Sequence, residues 1–235
     1  MASGMVYLIP TVLHEDALES IPAYIKDAVM RCSVFFVENE KTARRFLKKI
    51  WKEMVIDDYT WYAIHKAEED VQQQFLAALR AGNHVAIISE AGCPGVADPG
   101  QILVAAAQQA GYSIKPLVGP SSILLALMAS GMNGQQFRFN GYLPIDSTER
   151  KKKIRELEAE SQKQHCTQIC IETPYRNNQL LQDILQTCHP ETRLCIAIDI
   201  TAPNEWIKTR SVAQWKKETL DIHKRPAIFL WQVAV

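Results

Sequence analysis

At 235 residues the chain is long enough for one large domain or two small ones, each able to bury a core of its own. Lys plus Arg and Asp plus Glu both number 26, so the whole-chain charge does not point to nucleic acid, although a local basic patch is allowed. No apolar run reaches the length of a membrane span and the N-terminus lacks the regions of a signal peptide, so no membrane partner is expected.

In chain order, residues 5–9 read as a first strand and 17–30 as a helix with Pro22 near its start. A strand at 33–37 precedes a helix around 42–50, and a strand at 61–64 precedes a helix at 68–79 closed by Gly82. The strand 85–88 then runs into a loop, 89–100, with three glycines, two prolines and two carboxylates, followed at once by a helix at 101–109. Open α/β sheets bind ligands at the carboxyl ends of their strands, and glycine and proline set a backbone path there that lets main-chain amides approach a ligand. An ordinary strand-to-helix turn needs only one or two such residues.

A strand at 112–117 closes this half. Past Pro120 come a helix at 121–130 opened by two serines, a strand at 137–142, a charged helix at 148–160 and a strand at 167–171. A helix at 177–187, a strand at 194–198 and two closing strands, 206–209 and 227–233, around a helix at 212–217 complete the chain. The alternation predicts an α/β protein with a mostly parallel N-terminal sheet in residues 1–118 and a mixed C-terminal sheet in 119–235.

Six cysteines form no CxxC pair and several sit in apolar runs, as expected of a reduced, cytoplasmic protein without disulfides or structural zinc. Six scattered histidines lack ligand spacing, so no metal is expected. There is no GxxxxGK[ST], no GxGxxG after the first strand, and no GxSxG or HExxH. His14, beside Glu15 and Asp16 at a strand end, reads either as a functional group or as part of a helix-capping turn. Arg44, Arg45, Lys48 and Lys49, and Arg150 to Lys153 with Arg155, could track phosphates. They could equally be solvated helix faces, the second offset by Glu149, Glu156 and Glu158.

Residues 89–100, Ser-Glu-Ala-Gly-Cys-Pro-Gly-Val-Ala-Asp-Pro-Gly, resemble the S-D-A-G-T-P-x-x-x-D-P-G loop of the small-subunit ribosomal RNA 2′-O-cytidine methyltransferase I group of tetrapyrrole (corrin/porphyrin) methylases. Residues 116–122 are similar to that group's P-x-x-G-P-[SC]-[AS], 137–144 to F-x-F-x-G-F-L-P, and 171–176 to Y-E-S-x-H-R. The series runs in order over most of the chain. It departs after the first strand, where His14-Glu15-Asp16 replaces the glycine and asparagine of P-T-x-I-G-N-L-x-D. It departs again at 198–205, which keep Thr201 and Glu205 of R-E-L-T-K-x-x-E without its lysine, and at 224–226, where Lys-Arg-Pro stands for K-G-E. The C-terminal tail domain of many members is not expected.

The resemblance implies a two-domain class III methyltransferase fold, a homodimer, and S-adenosylmethionine in the cleft between domains. Gly92, Cys93, Pro94, Val96 and Ala97 would wrap the methionine part, and Ser121 and Ser122 would bind polar groups with the helix N-terminus behind them. Ile171, Glu172 and Ile198 would touch the adenosine side, with Pro226 and Ala227 near the adenine; Ile171 and Ile198 read equally well as core. Methyl transfer would be a direct displacement, with Asp98, Glu90 and His14, in that order, as candidate bases; loop hydrogen bonding is the competing reading of both carboxylates. The implied acceptor is RNA of the small ribosomal subunit. A tetrapyrrole acceptor, or a dimeric cofactor-binding protein without methyl transfer, are the alternatives.

Overall fold

A computed structural model describes residues 4–64 and 68–233; His65 lies outside the described residues. The chain divides into two compact units, Met1–Ser121 and Ser122–Val235.

The first unit is built on a five-stranded sheet of β1 (Met5–Ile9), β2 (Val34–Val37), β3 (Thr60–Ala63), β4 (Val85–Ile88) and β5 (Ser113–Pro116). The order is β3-β2-β4-β1-β5 with every neighbour parallel, as the alternation predicts. Strands β2 and β4 are apolar throughout because both faces of the sheet are covered. Phe35, Val37, Ala86 and Ile88 enter one core with α1 (Ile25–Val29) and α2 (Glu40–Ile50). Val34, Phe36, Val85 and Ile87 enter the other with α3 (Glu68–Arg80) and α4 (Gln101–Gln109). The register pairs Ile9 and Val37 with Ile88, so β1, β2 and β4 end level and their following loops emerge together.

The helix expected over 17–30 is replaced by a 3-10 turn, Leu18–Ser20, and the short α1. Ile21 is extended (φ −98°, ψ 116°) because the residue before a proline is driven out of the helical region, and Pro22 lacks the N–H that a continuous helix needs. Helix α2 starts two residues earlier than expected because the Asn39 side chain caps it, accepting from the Lys41 and Thr42 amides.

The second unit opens with α5 (Ser122–Ser130). Its sheet comprises β6 (Phe137–Tyr142), β7 (Thr167–Ile171), β8 (Arg193–Ile198), β9 (Trp206–Ser211) and β10 (Ala227–Gln232), with α6 (Ser147–Gln164), α7 (Asn177–Thr187) and α8 (Val212–Trp215) between strands. The order is β6-β7-β10-β8-β9; only β6 and β7 run parallel, so the sheet is mixed, as expected. Ile171 pairs with Ile228 and Ile198 with Ala227, which sets the ends of β7 and β8 beside the start of β10. All six thiols are free and five are buried; among the described residues no helix is long and apolar enough to cross a membrane.

Candidate functional site

The carboxyl edge of the first sheet is organised by the loop 89–100. Thr11, just past β1, donates its N–H to the Gly92 carbonyl (2.9 Å) and its hydroxyl to the Ser89 carbonyl (3.2 Å), while the Ser89 hydroxyl donates to the Gly92 carbonyl (2.8 Å). Gly92 has φ +76°, and a Cβ there would lie 3.1 Å from the Pro120 carbonyl oxygen and 3.2 Å from the Leu13 side chain, so both the backbone angle and the close approach favour glycine. The Cys93 thiol donates to the Pro120 carbonyl (3.4 Å). Val96 and Ala97 stay exposed, Ala97 with a left-handed φ of 55°.

Asp98 is part of the loop's frame. Its Oδ1 accepts the amides of Gly95 (3.0 Å) and Gly100 (2.7 Å), the pattern of a carboxylate that holds a turn. Its Oδ2 is buried without a partner of its own. Glu38, which follows β2 and which the sequence reading did not single out, stands close enough to Asp98 for the two carboxyls to interact. Glu38 accepts the Glu90 amide (2.9 Å), and its carboxyl is pushed up from 4.5 to about 7, by burial first and then by its hydrogen bond to Asp98 and the charges of Asp98 and Glu90. Bonded to the Glu90 amide and set beside Asp98, Glu38 links the two ends of the loop. The signal was available: Glu38 ends an apolar strand whose neighbours carry the loop.

A raised carboxyl pKa means that Glu38 contributes stability that is complete below 4.5 and is lost as pH rises through about 7. Glu38→Gln keeps a donor for Asp98 and cannot ionise. Thermal melts from pH 5 to pH 8 should therefore be flatter for Glu38→Gln, and at pH 8 the variant should melt about 2–4 °C higher, roughly 1 kcal/mol for a half-exposed, partly screened group. Parallel pH profiles for the two proteins would show that Glu38 ionises in its ordinary range.

Glu90 is exposed and accepts the Thr42 hydroxyl from the first turn of α2. It borders a cavity of about 190 Å³ whose walls are the residues after β1 (Thr11 to Leu13, Glu15), α2 and the start of the loop. His14 does not line it; its Nδ1 accepts the Asp16 amide (3.3 Å) and its carbonyl accepts the Ala17 amide (3.0 Å), the geometry of a capping turn.

In the second unit Ile171, Glu172, Ile198, Pro226 and Ala227 lie at one edge of the sheet, joined by the β7–β10 and β10–β8 ladders and by the Asp199 amide on the Pro226 carbonyl (3.0 Å). Ile198 is fully buried in the core, whereas Ile171 is half-buried. The buried Glu172 clamps the turn into α7 through Thr173 N–H (2.7 Å) and Arg176 (2.6 Å), leaving its Oε2 without a partner. Beyond β8, Asp199 (φ 51°) and Thr201 (φ 71°) are held left-handed by Arg225 on Asp199 (2.7 Å) and by Glu205, which accepts the Thr201 amide (2.7 Å). Ser122 begins α5 and Ser121 ends the first unit; both are half-exposed.

Most of the basic residues are committed to structure. Arg44 pairs with Glu40 (2.7 Å) and stacks over Trp61, Lys48 donates to the Met54 carbonyl (2.9 Å), and Lys49 donates to the Glu15 carbonyl (3.0 Å). Arg150 and Lys151 both engage Asp183, and Lys153 pairs with Glu156.

The family of tetrapyrrole (corrin/porphyrin) methylases matches residues 16–215. A ribosomal RNA small subunit methyltransferase I from Vibrio cholerae is 32% identical over 211 residues, 89% of this chain and 69% of that protein. Its counterpart from Escherichia coli O157:H7 is 32% identical over 161 residues, 67% of this chain but only 55% of that protein, so the chain matches little more than half of such a relative. The crystal structure of the methyltransferase CobJ superposes with a TM-score of 0.66 over 99% of this chain and 95% of its own, at 17% identity, a likeness of fold.

Proposed function

Because the chain belongs to the tetrapyrrole (corrin/porphyrin) methylase family, we propose that it is an S-adenosylmethionine-dependent methyltransferase acting on a ribose 2′-hydroxyl of small-subunit ribosomal RNA. The observation that carries this reading is the loop 89–100, held open over the carboxyl edge of a parallel sheet by Thr11, Glu38 and Asp98. The donor set fits the cofactor. Val96 and Ala97 offer apolar surface to an aliphatic arm, a Cβ at Gly95 would meet nothing within 4 Å, and the carboxylates of Glu90 and Asp98 suit a sulfonium cation.

When bound, S-adenosylmethionine supplies an activated methyl group. The chain then has to orient the acceptor, exclude water and take one proton. Glu90 is the better base: it is exposed and its carboxylate is tied, among the described residues, only to Thr42, whereas Asp98 spends one oxygen on two amides and has the other buried. In this reading Gly92, Cys93, Pro94, Val96 and Ala97 would wrap the methionine part and Ser121 and Ser122 would bind polar groups; Ile171 and Glu172 would serve the adenosine side and Pro226 and Ala227 the adenine, with buried Ile198 beneath that edge. A homodimer is supported by the exposed Phe137 and Tyr142 on edge strand β6 and by exposed Ile145 just beyond it. Six free thiols suit a cytoplasmic setting.

Calorimetric titration with S-adenosylmethionine should show micromolar binding that falls at least tenfold in Gly92→Trp, whose side chain would be driven against Pro120 and Leu13. Absence of binding at millimolar cofactor overturns the reading. On unmodified small subunits at saturating cofactor, Glu90→Gln should lower the transfer rate by about 10²–10⁴-fold.

A further inference from the structure

The cavity bordered by Glu90 has an uneven distribution of committed and uncommitted groups. On α2, Arg44, Lys48 and Lys49 are engaged by Glu40 and Trp61, by backbone carbonyls, and by Glu15, as described above. Lys41 lies outside the cavity wall. Arg45 lines the cavity, is exposed, and makes no ion pair or hydrogen bond among the described residues. The cavity is also lined by the apolar Val12, Leu13, Ala43 and Phe46 and by the Glu90–Thr42 pair.

We propose that this cavity is the seat of one phosphorylated ribonucleoside of the acceptor, with Arg45 binding its phosphate and Glu90 facing its sugar hydroxyls. The inference rests on the methyltransferase reading for its place in a reaction and on the cavity itself for its ligand. An uncommitted guanidinium offers a planar fork matched to a phosphate. The Glu90 carboxylate in the same wall accepts from neutral hydroxyls and repels further negative charge. The apolar lining covers the face of a sugar or base. A ligand with one anionic group and several hydroxyls satisfies all three features. A tetrapyrrole with its several carboxylates does not, because Glu15 and Glu90 repel it. Phosphate contacts position a nucleic acid without reading its sequence, so Arg45 is a positioning residue.

The test is an amide NMR titration of the full chain with cytidine 3′-monophosphate, cytidine 5′-monophosphate and cytidine, repeated for Arg45→Ala, Arg45→Lys and Lys41→Ala. At least one monophosphate should bind about tenfold more tightly than cytidine and perturb the amides of Thr42, Arg45, Phe46 and Ala91. Arg45→Ala should abolish that advantage and leave cytidine unchanged, Arg45→Lys should retain part of it, and Lys41→Ala, with the same loss of charge, should retain it all. Equal binding of nucleoside and nucleotides, equal losses in Arg45→Ala and Lys41→Ala, or shifts away from the cavity would overturn the proposal. S-adenosylmethionine titrated into the same samples separates the two claims. Nucleotide binding without cofactor binding removes the methyltransferase reading and keeps the phosphate site; cofactor binding without a monophosphate preference does the reverse.

Discussion

Arg150→Ala is expected to destabilise the chain by about 3–5 kcal/mol, the range for removing one partner of a buried ion pair. Arg150 is 3% exposed and Asp183 8%. The guanidinium donates from Nε to Asp183 (2.7 Å), pairs with it again through Nη2 (2.5 Å), and uses Nη1 on the carbonyls of Pro144 (3.1 Å) and Ile145 (2.7 Å). It thereby fixes the turn after β6, the start of α6 and the middle of α7 in one contact. Truncation leaves Asp183 with Ser147 (3.1 Å) and the half-exposed Lys151 (3.3 Å), and leaves two carbonyls without this donor. Denaturant unfolding should show the loss in the midpoint, and the thermal midpoint should fall by roughly 6–20 °C for a chain of this size. The double variant Arg150→Met with Asp183→Leu should recover much of the loss, because the cost lies in the stranded charge. A penalty below about 1 kcal/mol for Arg150→Ala would mean that solvent reaches Asp183 freely.

Gly119→Ala is expected to lower S-adenosylmethionine affinity at least tenfold and to cost about 1–3 kcal/mol of stability, the usual range for overpacking. A Cβ at Gly119 would stand 2.1 Å from Cβ and 2.5 Å from Cγ of Pro10. Both atoms belong to a ring closed on the backbone, so no rotamer relieves the clash and one of the two chain segments has to move. Either movement reaches the proposed cofactor loop. Gly119 lies beside Pro120, whose carbonyl holds Cys93 and abuts Gly92, and Pro10 precedes Thr11, which binds Ser89 and Gly92. Pro10→Gly removes the opposing atoms, so a double-mutant cycle should show positive coupling, with the pair binding cofactor better than Gly119→Ala alone. Wild-type affinity in Gly119→Ala would show that the loop does not depend on this crossing.

Strand and helix types were legible because a strand buried on both faces must be apolar throughout and a surface helix must repeat its apolar face. Residues 34–37 and 85–88 satisfied the first condition, and the cluster of glycines and prolines at 89–100 marked the ligand edge before any contact was known. Helix 17–30 was misread because its apolar period continues across Pro22, while the missing amide of that single residue divides it. The basic runs show the limit most clearly. Arg44 and Arg45 are adjacent and chemically identical, yet one is spent on Glu40 and Trp61 and the other faces the cavity uncommitted. Likewise the sequence ranks Asp98 ahead of Glu90 as a candidate base, whereas in the structure the Gly95 and Gly100 amides occupy Asp98 and, among the described residues, only Thr42 engages the Glu90 carboxylate. Periodicity and composition are local properties, so the sequence alone determined the elements and the edge at which a ligand would be met. The state of an ionisable side chain depends on partners brought from other strands, Glu38 from 60 residues before Asp98, and only the tertiary structure decided which charges are free to do chemistry.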